Sequence, residues 1–268
     1  MLGIQVFNSK DNWKFFKDEC VEYNFRWLTE TLGIPADDIS FVEDVWAGGG
    51  NLGPSIEYFI KGLEVGNMVF MQYKTFHDGS REELDIKVID VGIGLERVVW
   101  LMNGSATSYC DTFAQAYQYT LDVLKIEPNN KIWDQFGPYS CVLNVDEVDD
   151  MDKTWEEIAA KIGESKDEVQ KAIQPIKELY IILDHTRTIF FTISDGALPS
   201  NVGGGGNVRN ILRRVFSIMK KNNWWDKFGM EGFLEIFEYH KKDLEGIYGK
   251  FPEYKSFAEI IKVEFERW

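Results

Sequence analysis

The residues Asp90-Val91-Gly92-Ile93-Gly94-Leu95-Glu96-Arg97 combine two chemical capacities in one short run. Two alternate glycines on a strand leave one face bare, so a flat ring can lie against the backbone. An arginine at the start of the following helix can stack on that ring or pair with phosphate oxygens. The plain alternative is a strand whose glycines admit a packed helix, followed by an exposed Glu-Arg pair.

Two other glycine clusters imitate ligand sites. Gly48-x-Gly50-x-x-Gly53 matches the dinucleotide fingerprint as a string, but Pro54 follows and no βαβ alternation surrounds it. Gly203 to Gly206 lack the Lys-Ser/Thr of a phosphate loop. Residues 186–225 carry Arg187, Arg209, Arg213, Arg214, Lys220 and Lys221 against Asp195 alone, a local excess of +5 in a chain of net charge −15. Arg209 and Arg213 are one i,i+4 step apart, which puts them on one helix face suited to tracking phosphates. A solvated helix face is the plain alternative.

These residues need elements to position them. Segments 67–74 and 86–91 are short and β-rich, with "HDGS" between them, and predict an antiparallel pair. "GLERVVWLM" predicts a helix directly after the second strand. Trp13, Phe16, Cys20, Tyr23, Trp27, Leu28 and Leu32 predict an amphipathic helix over 13–32. Residues 46–54, "WAGGGNLGP", are expected to be irregular, as is "SDGALPSNVGGGGN". Thr154-x-x-Glu157 and Ser165-x-x-Glu168 have capping-box spacing. The Ser165 helix is expected to pause at Pro175 and resume. Val208, Ile211, Leu212, Val215, Phe216 and Met219 predict another helix, and 228–268 reads as helical with a break at Pro252. The fold class is α+β: an antiparallel sheet half with flanking helices over 1–110, then a helical half over 111–268.

Composition sets the remaining bounds. The chain has 268 residues, 44% hydrophobic and 15% aromatic, which excludes disordered and fibrous classes. Forty-four acidic residues against 29 basic ones argue against a generic nucleic-acid coat protein, though not against one RNA held by a local basic face. Cys20, Cys110 and Cys141 form no zinc spacing and no disulfide framework, and three histidines make a histidine-rich metal site unsuited. No long uncharged apolar run and no signal pattern is present, so a cytoplasmic protein without membrane partners is expected.

The octet resembles motif 3 of the class II aminoacyl-tRNA synthetases. Read in order with "VWAGGGNLGPSIEY", "GLEVGNMVFMQYK" and "DHTRTIFFTISDGALPSNVGGGGNVRNILRRVF", it resembles the alanyl-tRNA synthetase family, most closely its archaeal branch. The similarity covers essentially the whole chain. It implies part of a class II antiparallel sheet (motif 2 tail to motif 3) over 1–110, and part of a helical tRNA-recognition domain over 111–268. The implied reaction is ligation of alanine to tRNA(Ala) through alanyl-adenylate, with ATP and Mg²⁺.

Carried onto this sequence, the resemblance implies ATP contacts at Gly92, Gly94, Glu96 and Arg97, and an alanine pocket from Trp46, Asn67, Asp90 and Gly92. Arg97 and Asp90 are then the catalytic residues, and no protein metal ligand is implied. Asn201 is implied to read the acceptor-stem minor groove, with Arg209, Arg213 and Arg214 as further tRNA contacts. Motif 1 and the motif 2 arginine are not in the chain. The chain therefore reads as a fragment that is inactive in isolation, with a second chain supplying motifs 1 and 2 as an expected partner. A tRNA-binding or accessory module that kept the fold without catalysis is the alternative.

Overall fold

The structure is a computed structural model that describes residues 2–9, 15–143, 148–251 and 254–268. The protein is α+β and divides into two compact units, residues 1–108 and 109–268. Among the described residues no helix is long and apolar enough to cross a membrane.

The first unit is a five-stranded antiparallel sheet in the order β1-β5-β4-β3-β2. Its strands are β1 (Leu2–Ser9), β2 (Ile39–Gly48), β3 (Asn51–Ile60), β4 (Leu63–Thr75) and β5 (Arg81–Ile93). Helix α1 (Lys17–Arg26) continues as a π turn over Trp27–Thr31. Trp13, placed by periodicity at the start of this helix, lies outside the described residues. Period-2 alternation decides which face is buried. Ile89, Val91 and Ile93 of β5, Met68 and Phe70 of β4, and Tyr58 and Ile60 of β3 form one core with Phe16, Cys20 and Leu28. The intervening residues face the other way. β4 and β5 pair as the sequence predicts, and Asp78 closes their turn by accepting from the Ser80 amide at 2.9 Å.

Residues 46–54 are a hairpin, not irregular backbone. β2 and β3 pair without interruption from Ile39↔Ile60 to Gly48↔Asn51, leaving Gly49 and Gly50 as a two-residue turn. Both have positive φ, 58° and 80°. A two-residue hairpin turn needs this pair of conformations to match strand twist, and glycine adopts them without steric cost. Gly53 has a different reason: a Cβ there would lie 1.8 Å from the Phe70 carbonyl oxygen. Pro54, with no N–H to donate, sits where the β3–β4 register shifts between Leu52 and Ser55.

The second unit is helical: α3 (Ser108–Thr112), α4 (Ala114–Leu124), α5 (Asn130–Phe136), α6 (Met151–Ile162), α7 (Lys166–Ser194), α8 (Gly203–Lys221), α9 (Trp225–Tyr248) and α10 (Tyr254–Arg267). Ser165 and Glu168 form the predicted capping box. Thr154 does not cap. Asp150 does, accepting from the Lys153 amide at 3.0 Å, while the Thr154 hydroxyl donates back to the Asp150 carbonyl. α7 runs through Pro175 without a break. Ile173 and Ile176, both 1% exposed, anchor it on either side of the bond that proline removes. Gly203 to Gly206 are the first turn of α8 and not part of a loop. The Pro252 break lies outside the described residues.

A buried polar chain crosses this unit. Arg187 donates from Nε to His240 Nδ1 at 3.3 Å and from Nη2 to Asp243 at 3.2 Å. Since arginine only donates, Nδ1 accepts, and Nε2 carries the proton toward the Thr186 hydroxyl at 2.9 Å. Burial, and then the Arg187 charge, hold His240 down at about 3. Below the ordinary histidine range the unfolded chain takes a proton that the folded chain refuses. Stability therefore falls as pH drops from 6.5 toward 3, with a slope approaching ~1.4 kcal/mol per pH unit. Urea midpoints at pH 7, 6 and 5 measure this. His240→Gln, which keeps an acceptor and a donor, is expected to flatten the decline, and an unchanged slope would assign it elsewhere.

Candidate functional site

The strand register gathers the predicted ligand residues. Asn67 lies opposite Gly92, and Val69 opposite Asp90. Glu57 and Ser55 of β3 lie opposite Asn67 and Val69. Asp44 pairs with Ser55, and Trp46 with Gly53. Directly opposed residues share a face. Trp46, Asn67, Asp90 and Gly92 therefore all lie on the face opposite the α1 core, at an intermediate level of exposure. The indole of Trp46 lies along its own strand, where a Cβ on Gly48 would be 2.7 Å from Cζ2. Two neighbours escaped sequence reasoning. Gln5 of β1 faces Asp90, with Nε2 3.5 Å from Oδ1, and Glu57 faces Asn67.

Gly94 is the N-cap of α2 (Leu95–Asn103), so Arg97 is in the helix's first turn. Its stem lies against the bare Gly94, where a Cβ would meet Cδ at 3.2 Å. Its Nη1 donates to Glu64 Oε2 at 2.6 Å and to the Glu64 carbonyl at 3.0 Å. The pair is partly open to solvent, so the rest of the guanidinium fork remains available to a ligand. Glu64 is a third residue that no local pattern marks, because it lies 33 positions from Arg97. Glu96 is exposed in the same first turn, where a carboxylate suits the positive end of the helix dipole.

In the helical unit two of the six cations of the basic segment, Arg187 and Arg209, are engaged internally, so the local basic face is narrower than the charge count implies. Arg187 is tied to His240 and Asp243, and Lys221 to Glu178 at 2.6 Å. Burial pushes the Glu178 carboxyl up, and Lys221, Gln174 and Asn222 together more than reverse it. Arg209 is also turned inward. Its Nε and Nη2 grip the two oxygens of Glu264 at 2.7 and 2.9 Å. The same guanidinium donates to Asn201 Oδ1 and, at 3.4 Å, to the Pro199 carbonyl. Arg209 therefore does not share an outward phosphate-tracking face with Arg213. Arg213, Arg214 and Asn201 are exposed. Lys220 lies over the Trp268 ring at 5.3 Å.

Among the described residues no cluster of three or more His, Cys, Asp or Glu could hold a metal ion. Cys20 and Cys110 form no disulfide.

Comparison with known proteins follows the same outline. A family model described as "tRNA synthetases class II (A)" matches residues 144–268. The chain is 40% identical over 268 residues to an alanine–tRNA ligase of Methanocella arvoryzae, covering all of this chain and 30% of that protein. It is 38% identical over 255 residues to an alanine–tRNA ligase of Nitrosopumilus maritimus, covering 95% of this chain and 28% of that protein. An alanine–tRNA ligase of Methanothermobacter thermautotrophicus is 34% identical over all of this chain and 29% of its own length. The chain thus spans less than a third of the length of these relatives.

Proposed function

We propose, for a chain that belongs to the alanine–tRNA ligase family of class II tRNA synthetases, that it contributes to joining alanine to tRNA(Ala) through an alanyl-adenylate. The observation that carries this reading is the common face of Trp46, Asn67, Asp90 and Gly92, with Arg97 beyond the end of β5. Asp90 holds the amino group of alanine, and Trp46 and Asn67 bound a small side-chain space. Gly92 and Gly94 admit the nucleotide to the backbone. Arg97, held on one side by Glu64, offers its remaining donors to ATP. Glu96 is the fourth nucleotide contact in this reading.

Activation asks for positioning and charge stabilisation more than covalent chemistry from the protein. Mg²⁺ held with ATP would supply further charge stabilisation at the phosphates, beside the donors that Arg97 offers. The helical unit supplies the tRNA contacts, with Asn201 at the acceptor stem and Arg213 and Arg214 toward phosphates. The protein acts in the cytoplasm.

The intrinsic limit of such a pocket is one methyl group. Rejecting glycine rests on about 1–3 kcal/mol. Calorimetric titration with alanyl-sulfamoyl adenosine, a non-hydrolysable adenylate analogue, tests the reading. Saturable binding is expected, weaker by roughly 10- to 200-fold for the glycyl analogue and absent for the leucyl analogue. Equal binding of all three would overturn it.

A further inference from the structure

We propose that Arg209 and Glu264 are positioning residues that hold Asn201 in place for RNA, and that Arg209 makes no phosphate contact itself. The proposal rests on the reading of Asn201 as an acceptor-stem contact and adds how that contact is prepared.

Glu264 is 5% exposed and sits on α10, 55 residues from Arg209 on α8. The two form a bidentate fork, the geometry in which a guanidinium and a carboxylate are most tightly oriented. Arg267 adds a third hydrogen bond to Glu264, at 3.0 Å. The pull of Arg209 leads in keeping the Glu264 carboxyl below its ordinary range, against burial and with Arg267 helping. Arg209 therefore has a fixed base, and its side chain is only 13% exposed.

What it does with its remaining donors is specific. Nη1 goes to Asn201 Oδ1, and Nη2 also reaches the Pro199 carbonyl. A guanidinium has no acceptor, so the amide atom facing it is the oxygen. The Asn201 amide nitrogen is thereby directed away from Arg209. The loop is seated from below as well. The Ser200 amide donates to the Gly205 carbonyl at 3.0 Å, and a Cβ at Gly205 would lie 2.5 Å from the Leu198 carbonyl oxygen. An exposed asparagine with a fixed amide is prepared for recognition, because less side-chain freedom is lost on binding. A guanidinium with both edges engaged is poorly placed for a phosphate. Arg213, one turn further along α8 and exposed, is the better candidate for that role.

The experiment uses a tRNA(Ala) acceptor-stem minihelix and the same minihelix with one base pair changed. Binding is followed by fluorescence anisotropy across a salt series. Asn201→Ala is expected to reduce the discrimination ratio by roughly 10-fold with an unchanged salt slope. Arg209→Ala is expected to do the same. Arg213→Ala is expected to keep the ratio and lower the slope by about one. The double variant Arg209→Met/Glu264→Met guards against misfolding, since a buried ion pair can be exchanged for apolar residues of similar volume. It should reproduce the loss of discrimination with an intact helical spectrum. If the folded double variant keeps the wild-type ratio while Asn201→Ala loses it, positioning by Arg209 is wrong. A lowered salt slope in the Arg209 variants would make Arg209 a phosphate contact and also overturn the proposal. If Asn201→Ala itself keeps the ratio, the reading of Asn201 fails and the proposal falls with it.

Discussion

Gly53→Ala is expected to destabilise the sheet unit by at least ~3 kcal/mol, the upper end of ordinary overpacking. The added carbon would lie 1.8 Å from the Phe70 carbonyl oxygen and 3.0 Å from the Met71 Cα, both backbone atoms of the neighbouring strand. No side chain can rotate aside, so the strands must separate at the register shift. Trp46, directly opposite Gly53, would move with them. Gly206→Ala is the matched control. The new carbon there meets its nearest neighbour at 3.5 Å, an ordinary contact, inside a helix. It is expected to be neutral or to stabilise by up to ~1 kcal/mol. Urea unfolding of both variants checks the pair. A Gly53→Ala protein as stable as wild type would show that the β3–β4 step gives way easily.

Asp90→Asn has the larger functional effect. A charge-assisted hydrogen bond contributes roughly 1.5–3 kcal/mol, so binding of alanyl-sulfamoyl adenosine should weaken by ~10- to 150-fold. ATP binding in the absence of alanine should change little, because the nucleotide is assigned to Gly92, Gly94 and Arg97. Gln5, which faces Asp90, is expected to remain in place, since asparagine still offers it an oxygen. Equal weakening of ATP and of the adenylate analogue would assign Asp90 a structural role at the β1–β5 pairing.

The two halves of the candidate site differ in how far sequence reveals them. The run from Asp90 to Arg97 is legible because strand, bare face and helix start are all local. The hairpin at Gly49 and Gly50 was not legible from composition: a glycine run looks irregular until the twist of the flanking strands is considered. Glu64, Gln5 and Glu264 carry no local mark, since each meets its partner across 33 to 85 positions. The same blindness made residues 186–225 look like a basic surface. Arg187 and Arg209 are spent on acids 56 and 55 positions away, and counting charges along a segment cannot register that.

Strand β1 is the first of the five described strands, yet its hydrogen-bonded neighbour is the fifth. Strands β2 to β5 form by successive hairpins, each closing a short loop. The pairing of Leu2 with Ile93 instead closes most of the first unit. During synthesis β1 emerges roughly 80 residues before its partner, a wait of about 4 to 16 seconds at ordinary elongation rates. Leu2, Ile4 and Phe7 remain substantially exposed even in the folded protein. Until β5 is made they lack the strand they pair with in the fold, so this segment is one that a chaperone has reason to protect and that a pause in synthesis before β5 would leave prone to aggregate.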